Sequence, residues 1–510
     1  MTITEDVAQP SAESTGRKRM WVVIAAVIPV GLYLLYVFHY SVNVPYADDW
    51  YIIPLADSAL HGHLGMSELW NQAGDTRLFV PKLIFVAFAF VDRLNMKSIQ
   101  LFSALLFAAS YVLLLSLLRS YLGRRLTFVP VFVVGIVWFS LEDVQNALWA
   151  YQLAWYLTVF FFVTMLYFLL IPRHHRTVFF GLGMLAAVAG SYSIVQGFLL
   201  WPVGLICLLW VTPWGRRAYY EAATWVAAAV VTTAIYLPGF NATSNAACFP
   251  HTSSCSLSFA LSHPDLLFRW FLLLIGNLIP APWIQLHSAP GAHQLLGAVI
   301  LVVAVFVVVR SWRERQGHAT PLPLLLIVFG VLFDLTIAIG RVGEGPAAAL
   351  QNRFTMPNLI LLVGIVVYAL GHLPTLRVPT PTDWKGRLKI AGLVTLGVFL
   401  VVQSVVATDF GITNARATRQ THETDARIVV NVDRIPSAKQ ACELALAVWP
   451  PKSLSSVIAS FDWVRRESAL DRLSVFQPGP ESVFRAEGPP NQQEIDAAGY
   501  LIGAEGQPCS

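Results

Sequence analysis

The chain has 510 residues, 56% of them hydrophobic and only 13% charged, against about 25% charged in an average soluble domain. That balance excludes an ordinary soluble enzyme and predicts an all-α polytopic membrane protein. A formal net charge of +4 is too small to argue for nucleic acid, and no nucleic-acid partner is expected; the placement of the basic residues carries more information than their sum.

Residues 1–19 are polar, rich in Ser, Thr and Glu, and read as a disordered cytoplasmic N-terminus closing on Arg17-Lys18-Arg19. The apolar run from Met20 to Phe38 has the look of a signal peptide, but it is long and no small-residue cleavage site follows, so it is expected to stay as the first helix. Runs of about 20 apolar residues predict about eleven spans, near 20–39, 97–118, 127–140, 152–171, 177–190, 198–214, 219–238, 292–309, 321–340, 357–371 and 390–408. Two further runs do not fit. The 79–92 run is short and ends in Asp92-Arg93, and 265–287 is broken by Gly276, Asn277, Pro280 and Pro282. Both are expected to lie in, or dip into, the outer interface.

The basic residues support this arrangement. Every connection it assigns to the cytoplasm is basic: Arg17-Lys18-Arg19, the 119–125 turn, Arg173 to Arg176, Arg216-Arg217, 310–315 and 377–389. The short outer connections hold only Arg269, Arg341 and Arg353, as the positive-inside rule requires. A transmembrane domain over 20–408, with its first outer loop at 40–96, therefore precedes a small extracytoplasmic C-terminal region at 409–510. The location expected is a bacterial inner membrane. Cys207 falls within a span, whereas Cys248 and Cys255 share an outer loop and Cys442 and Cys509 share the tail. All four lie on the oxidising side, which predicts disulfides Cys248–Cys255 and Cys442–Cys509. A zinc site at the first pair would have only His251 and His263 nearby, and that spacing fits no standard pattern. No metal site is expected there.

The unusual residues collect in the outer loops. Pro45-Tyr46-Ala47-Asp48-Asp49-Trp50-Tyr51 puts two adjacent carboxylates just beyond the first span, where repulsion and desolvation are costly; the plainer reading is a helix N-cap. The same loop holds Asp75 and Arg77. The second carries Glu142, Asp143, Trp149, Tyr151 and Gln152, the third Tyr192 and Gln196, and the last Arg341 and Arg353. Taken singly, each has an ordinary explanation: Glu142-Asp143 as a cap, Trp149 as an interfacial aromatic, the arginines snorkelling to headgroups. Together, carboxylates, arginines, amides and aromatics at one depth are what polar chemistry on a lipid-linked anion requires.

In these features the sequence resembles the GT-C class of membrane glycosyltransferases, closest to the polyprenyl-phosphate-dependent bacterial arabinosyl- and mannosyltransferases. The residues that carry the resemblance are Asp48-Asp49 after helix one, the interfacial runs behind it, Glu142-Asp143, the Ser191 to Gly197 stretch leading into Leu200-Trp201-Pro202, and Gln351-Asn352-Arg353-Phe354 opening a late helix. Some members carry Asp-Glu at the first position, and a Ser-Arg-Tyr string would be the more familiar form of the last. The resemblance implies transfer of a sugar from a polyprenyl-phosphate donor to a glycan or glycolipid acceptor, usually with inversion. Asp48 or Asp49 would be the general base, with Asp143 assisting. Arg353, Arg341 and then Arg77 would hold the phosphate, and Trp50, Tyr46 or Trp149 would face the sugar. Membrane lipids are the other expected partners. No cofactor is required, although a divalent cation shared between Asp143 and the first loop stays open. The competing reading is a lipid or solute transporter of envelope precursors, for which Asp334 is the main carboxylate deep in a span.

Overall fold

The computed structural model describes residues 12–74, 76–171, 175–213, 215–241, 257–284, 291–314, 320–373, 384–431 and 473–474. Asp75, the four cysteines expected to pair, and most of the region after 431 lie outside the described residues. No β-strand occurs among those described. The helices run α1 (Ala12–Tyr40), α2 (Ile52–Leu60), α3 (Met66–Trp70), α4 (Phe79–Asp92), α5 (Met96–Leu122), α6 (Phe128–Trp138), α7 (Val144–Ala147), α8 (Leu153–Leu170), α9 (Arg176–Ser191), α10 (Leu200–Val211) and α11 (Arg216–Tyr236). They continue as α12 (Leu257–Ser262), α13 (Pro264–Gly276), α14 (Ala281–Ile284), α15 (Gly291–Arg313), α16 (Leu322–Arg341), α17 (Pro346–Ala349), α18 (Thr355–His372) and α19 (Trp384–Val430).

Among the described residues, eight helical stretches are long and apolar enough to cross a membrane: Arg19–Tyr40, Met96–Leu122, Phe128–Ala147, Ala150–Leu170, Gly291–Arg313, Leu322–Glu344, Asn352–His372 and Gly386–Arg427. The chain is thus an all-α polytopic membrane protein. Of the other three expected spans, α9 and α10 are apolar but only 16 and 12 residues long. The third, α11, has 21 residues yet begins Arg-Arg and carries Glu221 among alanines.

The centre of the bundle is α8, α16 and α18, whose side chains are buried on nearly every face. Phe162 of α8 stacks on Phe329 of α16 with ring centroids 3.8 Å apart. Beside it Gly330 brings α16 against α18 so closely that a Cβ there would sit 2.7 Å from the Pro357 carbonyl oxygen. Helices at the periphery look different: Leu32 and Leu35 of α1, Val302 and Phe306 of α15, and Val398 and Val401 of α19 all turn outward, as lipid-facing helices do.

Hydrogen bonds gather the connections at the two ends of this bundle. At one end Arg125 donates to the Gly371 carbonyl, His372 meets Glu314, and Arg176 pairs with Glu221 and Thr212. At the other, Tyr46 meets Trp149, Asn146 meets Arg353, the Val195 N–H donates to Thr76 and Arg77 reaches Pro238. Both ends of α4 belong to this second end, because the Val80 N–H donates to the Tyr192 carbonyl and the Met96 N–H, four residues beyond the helix, to the Asn43 side chain. With 14 residues and both ends on one side, α4 lies across the bundle end instead of through it. Helix α13 also stays there: Trp270 donates to Gly345 and Asn277 to Gln351.

The last helix departs most from expectation. The 390–408 run does not stop where the sequence turns polar at Thr413, but continues unbroken to Val430.

Candidate functional site

After α1 the chain turns at Ser41 to Pro45 and enters a single helical turn, Ala47–Tyr51. Ala47 sits at φ 46°, a left-handed conformation that is strained for a residue with a Cβ. The turn sends the two aspartates to different environments. Asp49 is fully buried; one carboxylate oxygen accepts the Tyr46 N–H at 3.0 Å and the other the Tyr151 N–H at 2.7 Å. It closes its own turn and ties it to the 150–152 turn. Burial pushes the Asp49 carboxyl well above the usual carboxylate range, opposed by those two hydrogen bonds. Asp48 stays half-buried; burial raises the phenol of Tyr51, and the Asp48 charge adds to it.

The second acidic pair is inside the bundle end. Ser140, not an aspartate, caps the turn that contains it. Asp143 accepts from the Asn146 amide at 2.6 Å, and the same NH2 donates to the Arg353 carbonyl at 2.8 Å. This locks the second loop to the start of α18. Glu142 faces α19, where Gln403 donates to it at 3.4 Å and to Ser140 at 3.1 Å.

Arg353 completes the cluster. Its guanidinium lies 5.0 Å from the Phe354 ring centroid and 6.0 Å from that of Trp149. Trp149 donates to the Tyr46 carbonyl at 3.1 Å and packs edge-on to the Tyr46 ring at 5.6 Å. Arg341 also lies 5.7 Å from the centroid of the Phe354 ring, with Glu344 as its ion-pair partner at 2.8 Å. Both arginines lie near the Phe354 ring, and Arg353 is the one that also lies near Trp149.

Helix α19 brings two residues that the sequence reading assigned to the tail. His422 is buried with its ring 4.9 Å from Tyr46, and neither ring nitrogen has a hydrogen-bond partner among the described residues. Asp425, also buried, is the first charge acting on the Tyr46 phenol, ahead of Arg353, which opposes it. The signal was present: His422 and Asp425 are three apart, one helical face, in register with the preceding span. Contact between the helix and the second loop depends on Gly411, where a Cβ would sit 2.4 Å from the Leu141 carbonyl oxygen.

Other expected residues sit apart from this cluster. Arg77 is buried and its guanidinium is committed to the carbonyls of Trp70 at 2.7 Å and Pro238 at 2.5 Å, over the rings of Trp70 and Tyr236. Tyr192 joins that aromatic group and donates to Thr232. Trp50 is buried in a smaller core with Ile53 and Phe85. Gln152, buried, and Gln196, half-buried, each keep a side-chain oxygen without a hydrogen-bond partner among the described residues. A divalent cation finds no ready ligand set: among the described residues no three His, Cys, Asp or Glu side chains group to hold one. Asp49 already gives both oxygens to backbone donors.

The fold and this end of the bundle define a polytopic membrane protein with a polar, aromatic-lined site between its first, second and last long connections. No protein-family model, curated protein or solved structure matches the chain.

Proposed function

We propose that the chain is a GT-C-type membrane glycosyltransferase, moving a sugar from a polyprenyl-phosphate carrier to a hydroxyl of a cell-envelope glycan or lipid-linked acceptor at the outer face of a bacterial cytoplasmic membrane. The observation that carries this reading is that Tyr46, the residue two before Asp48, packs against Trp149 while the Arg353 guanidinium lies 6.0 Å from the Trp149 ring. A base must take the acceptor proton as its oxygen attacks the anomeric carbon from the face opposite the phosphate. Asp48 is half-buried where Asp49 is fully buried and bound to two backbone N–H groups, so Asp48 is the more accessible of the two to an acceptor hydroxyl. As the bond from the anomeric carbon to the phosphate oxygen breaks, negative charge grows on the departing polyprenyl phosphate, and a guanidinium meets it with a fixed fork of donors. Arg353 is so assigned, with Arg341 behind it, and the rings of Tyr46 and Trp149 give the sugar an apolar face. In this reading all eleven apolar helices cross the membrane, with α4 and α13 in the outer interface.

The test is transfer of radiolabelled sugar from a panel of polyprenyl-phosphate donors by the purified protein. Asp48→Asn abolishes transfer and Arg353→Ala weakens donor binding most; normal transfer by the first removes the catalytic assignment, and unchanged donor affinity in the second removes the phosphate assignment. A transporter is the second reading, favoured by Asp334 of α16, buried with neither carboxylate oxygen hydrogen-bonded among the described residues. Substrate uptake into proteoliposomes that is lost in Asp334→Asn, with no transfer by wild type, would select it.

A further inference from the structure

A cavity of about 420 Å³ opens beside the acidic turn, between α2, α4 and the 72–74 turn. Its walls include Tyr51, Tyr151, Gln72, Leu55, Phe85 and Lys82. Ligand pockets of this order hold one or two sugar rings. The cavity adjoins the site described above on two sides. Tyr51 follows Asp48 by three residues and feels its charge, and Tyr151, whose N–H binds Asp49, stacks on Trp149 with centroids 6.2 Å apart. The acidic turn thus adjoins the cavity at Tyr51, while Trp149, which packs against Tyr46, links Tyr151 of the cavity wall to Arg353.

The lining is chemically mixed in a particular way. Lys82 and Phe85 are three apart on α4 and face the cavity together, while Leu83, Phe90 and Val91 of the same helix are exposed elsewhere. The Lys82 ammonium, on a residue that lines the cavity, donates to the carbonyls of Glu68 at 2.8 Å and Asn71 at 2.6 Å, which uses two of its three N–H groups. The rim is also fastened: Gln72 and the Asn241 backbone exchange two hydrogen bonds, at 2.8 and 2.9 Å. Two tyrosine rings for an apolar ring face, with a held donor for a hydroxyl, suit a carbohydrate and not a hydrocarbon chain.

We propose that this cavity is the acceptor subsite, taking a sugar ring against Tyr51 and Tyr151 with one hydroxyl on Lys82, so that the attacking hydroxyl reaches Asp48. The proposal rests on the transferase reading for the word acceptor, but sugar binding is measurable without turnover. Protein in nanodiscs free of glycosidic detergent is titrated with methyl α-D-mannopyranoside and methyl α-D-arabinofuranoside and followed by saturation-transfer NMR. At least one binds, and Tyr51→Ala and Lys82→Met each weaken it about tenfold, the scale of one lost hydrogen bond to a charged group or one lost ring contact.

Lys82→Met also frees two carbonyls that hold α3 to α4, whereas Tyr51 is 45% exposed and its truncation is expected to disturb the fold less, which the thermal midpoint of each variant checks. Failure of both glycosides to bind, binding indifferent to Tyr51→Ala, or competition by 1-decanol that the same substitutions abolish would each overturn the proposal. Sugar transfer is assayed on the same samples. Binding that needs Tyr51, with no transfer from any polyprenyl donor, keeps the cavity and removes the transferase. Transfer that needs Asp48 but ignores Tyr51 and Lys82 keeps the transferase and removes the cavity.

Discussion

Asp48 and Asp49 are the same residue type one position apart, yet one is half-buried and the other fully buried. Geometry decides before acidity does: a base must reach the proton it removes, and Asp49 offers no oxygen that is not already a backbone acceptor. Asp48→Asn is expected to lower transfer by about 10²–10⁴-fold, the usual range for a lost general base, with the thermal midpoint of the purified protein unchanged. Asp49→Ala does the reverse in the first instance. It strands the Tyr46 and Tyr151 N–H groups in a buried site, at about 1–3 kcal/mol each, and is read as a drop in thermal midpoint; an undiminished midpoint would deny Asp49 its structural role. Lys82 yields a pH prediction. Burial, then the nearby Arg77 charge, lowers its ammonium from 10.5 to about 8. The unfolded chain therefore binds more protons than the folded one between those values, and stability contributed at this site rises with pH across that window. Relative to Lys82→Met, the wild-type thermal midpoint should climb from pH 8 to 10.5, and a flat difference would contradict the depressed value.

At the scale of elements, α19 is the part that most changes the site. It binds the second acidic loop through Gln403 and the bare backbone at Gly411, and α1 through the Tyr36 hydroxyl on the Gly411 carbonyl at 3.0 Å. Its last turns then carry His422 and Asp425 over the Tyr46 ring. Gly411→Val forces a side chain into the Leu141 backbone; overpacking of this kind costs about 1–3 kcal/mol. Both the thermal midpoint and transfer should fall, whereas Thr408→Val, on the exposed face one turn earlier, should alter neither. Equal behaviour of the two variants would mean that the helix is not held at that point. Helix α4 has the opposite character: its length and its two anchored ends confine it to one end of the bundle, where Lys82 and Phe85 wall the cavity.

For the whole molecule, the separation of the two bundle ends is the organising fact. Arg125, Arg176, Arg216 and Arg217 lie at one and the acidic and aromatic turns at the other, and in the function proposed above the positive-inside rule assigns the second to the outer face. In a background with the native cysteines replaced by serine, His63→Cys should react with a membrane-impermeant maleimide on intact cells, and Arg216→Cys only after permeabilisation. The reverse pattern would invert the topology, and labelling of both would remove an odd number of crossings between them.

The helical, membrane-spanning character of the chain was legible from apolar run length, because a bilayer of fixed thickness demands backbone hydrogen bonds satisfied within each span. That α4 does not run through the bundle was legible too, from its shortness and from the charge of the turn that follows α5. The convergence of Tyr46, Trp149 and Arg353 was anticipated only as shared depth. The difference in burial between Asp48 and Asp49 was not visible, since it depends on a left-handed Ala47 and on a Tyr151 N–H about a hundred residues away in the chain. Nor was the reach of α19, where polar composition after Thr413 suggested an ending while the hydrogen bonds and packing around Gly411 and His422 continue the helix. By itself the sequence determined which segments are helical and apolar and which residue types lie near one another along the chain. Only the tertiary structure decided which polar groups are consumed in holding loops together and which face the cavity, because that depends on contacts between residues far apart in sequence.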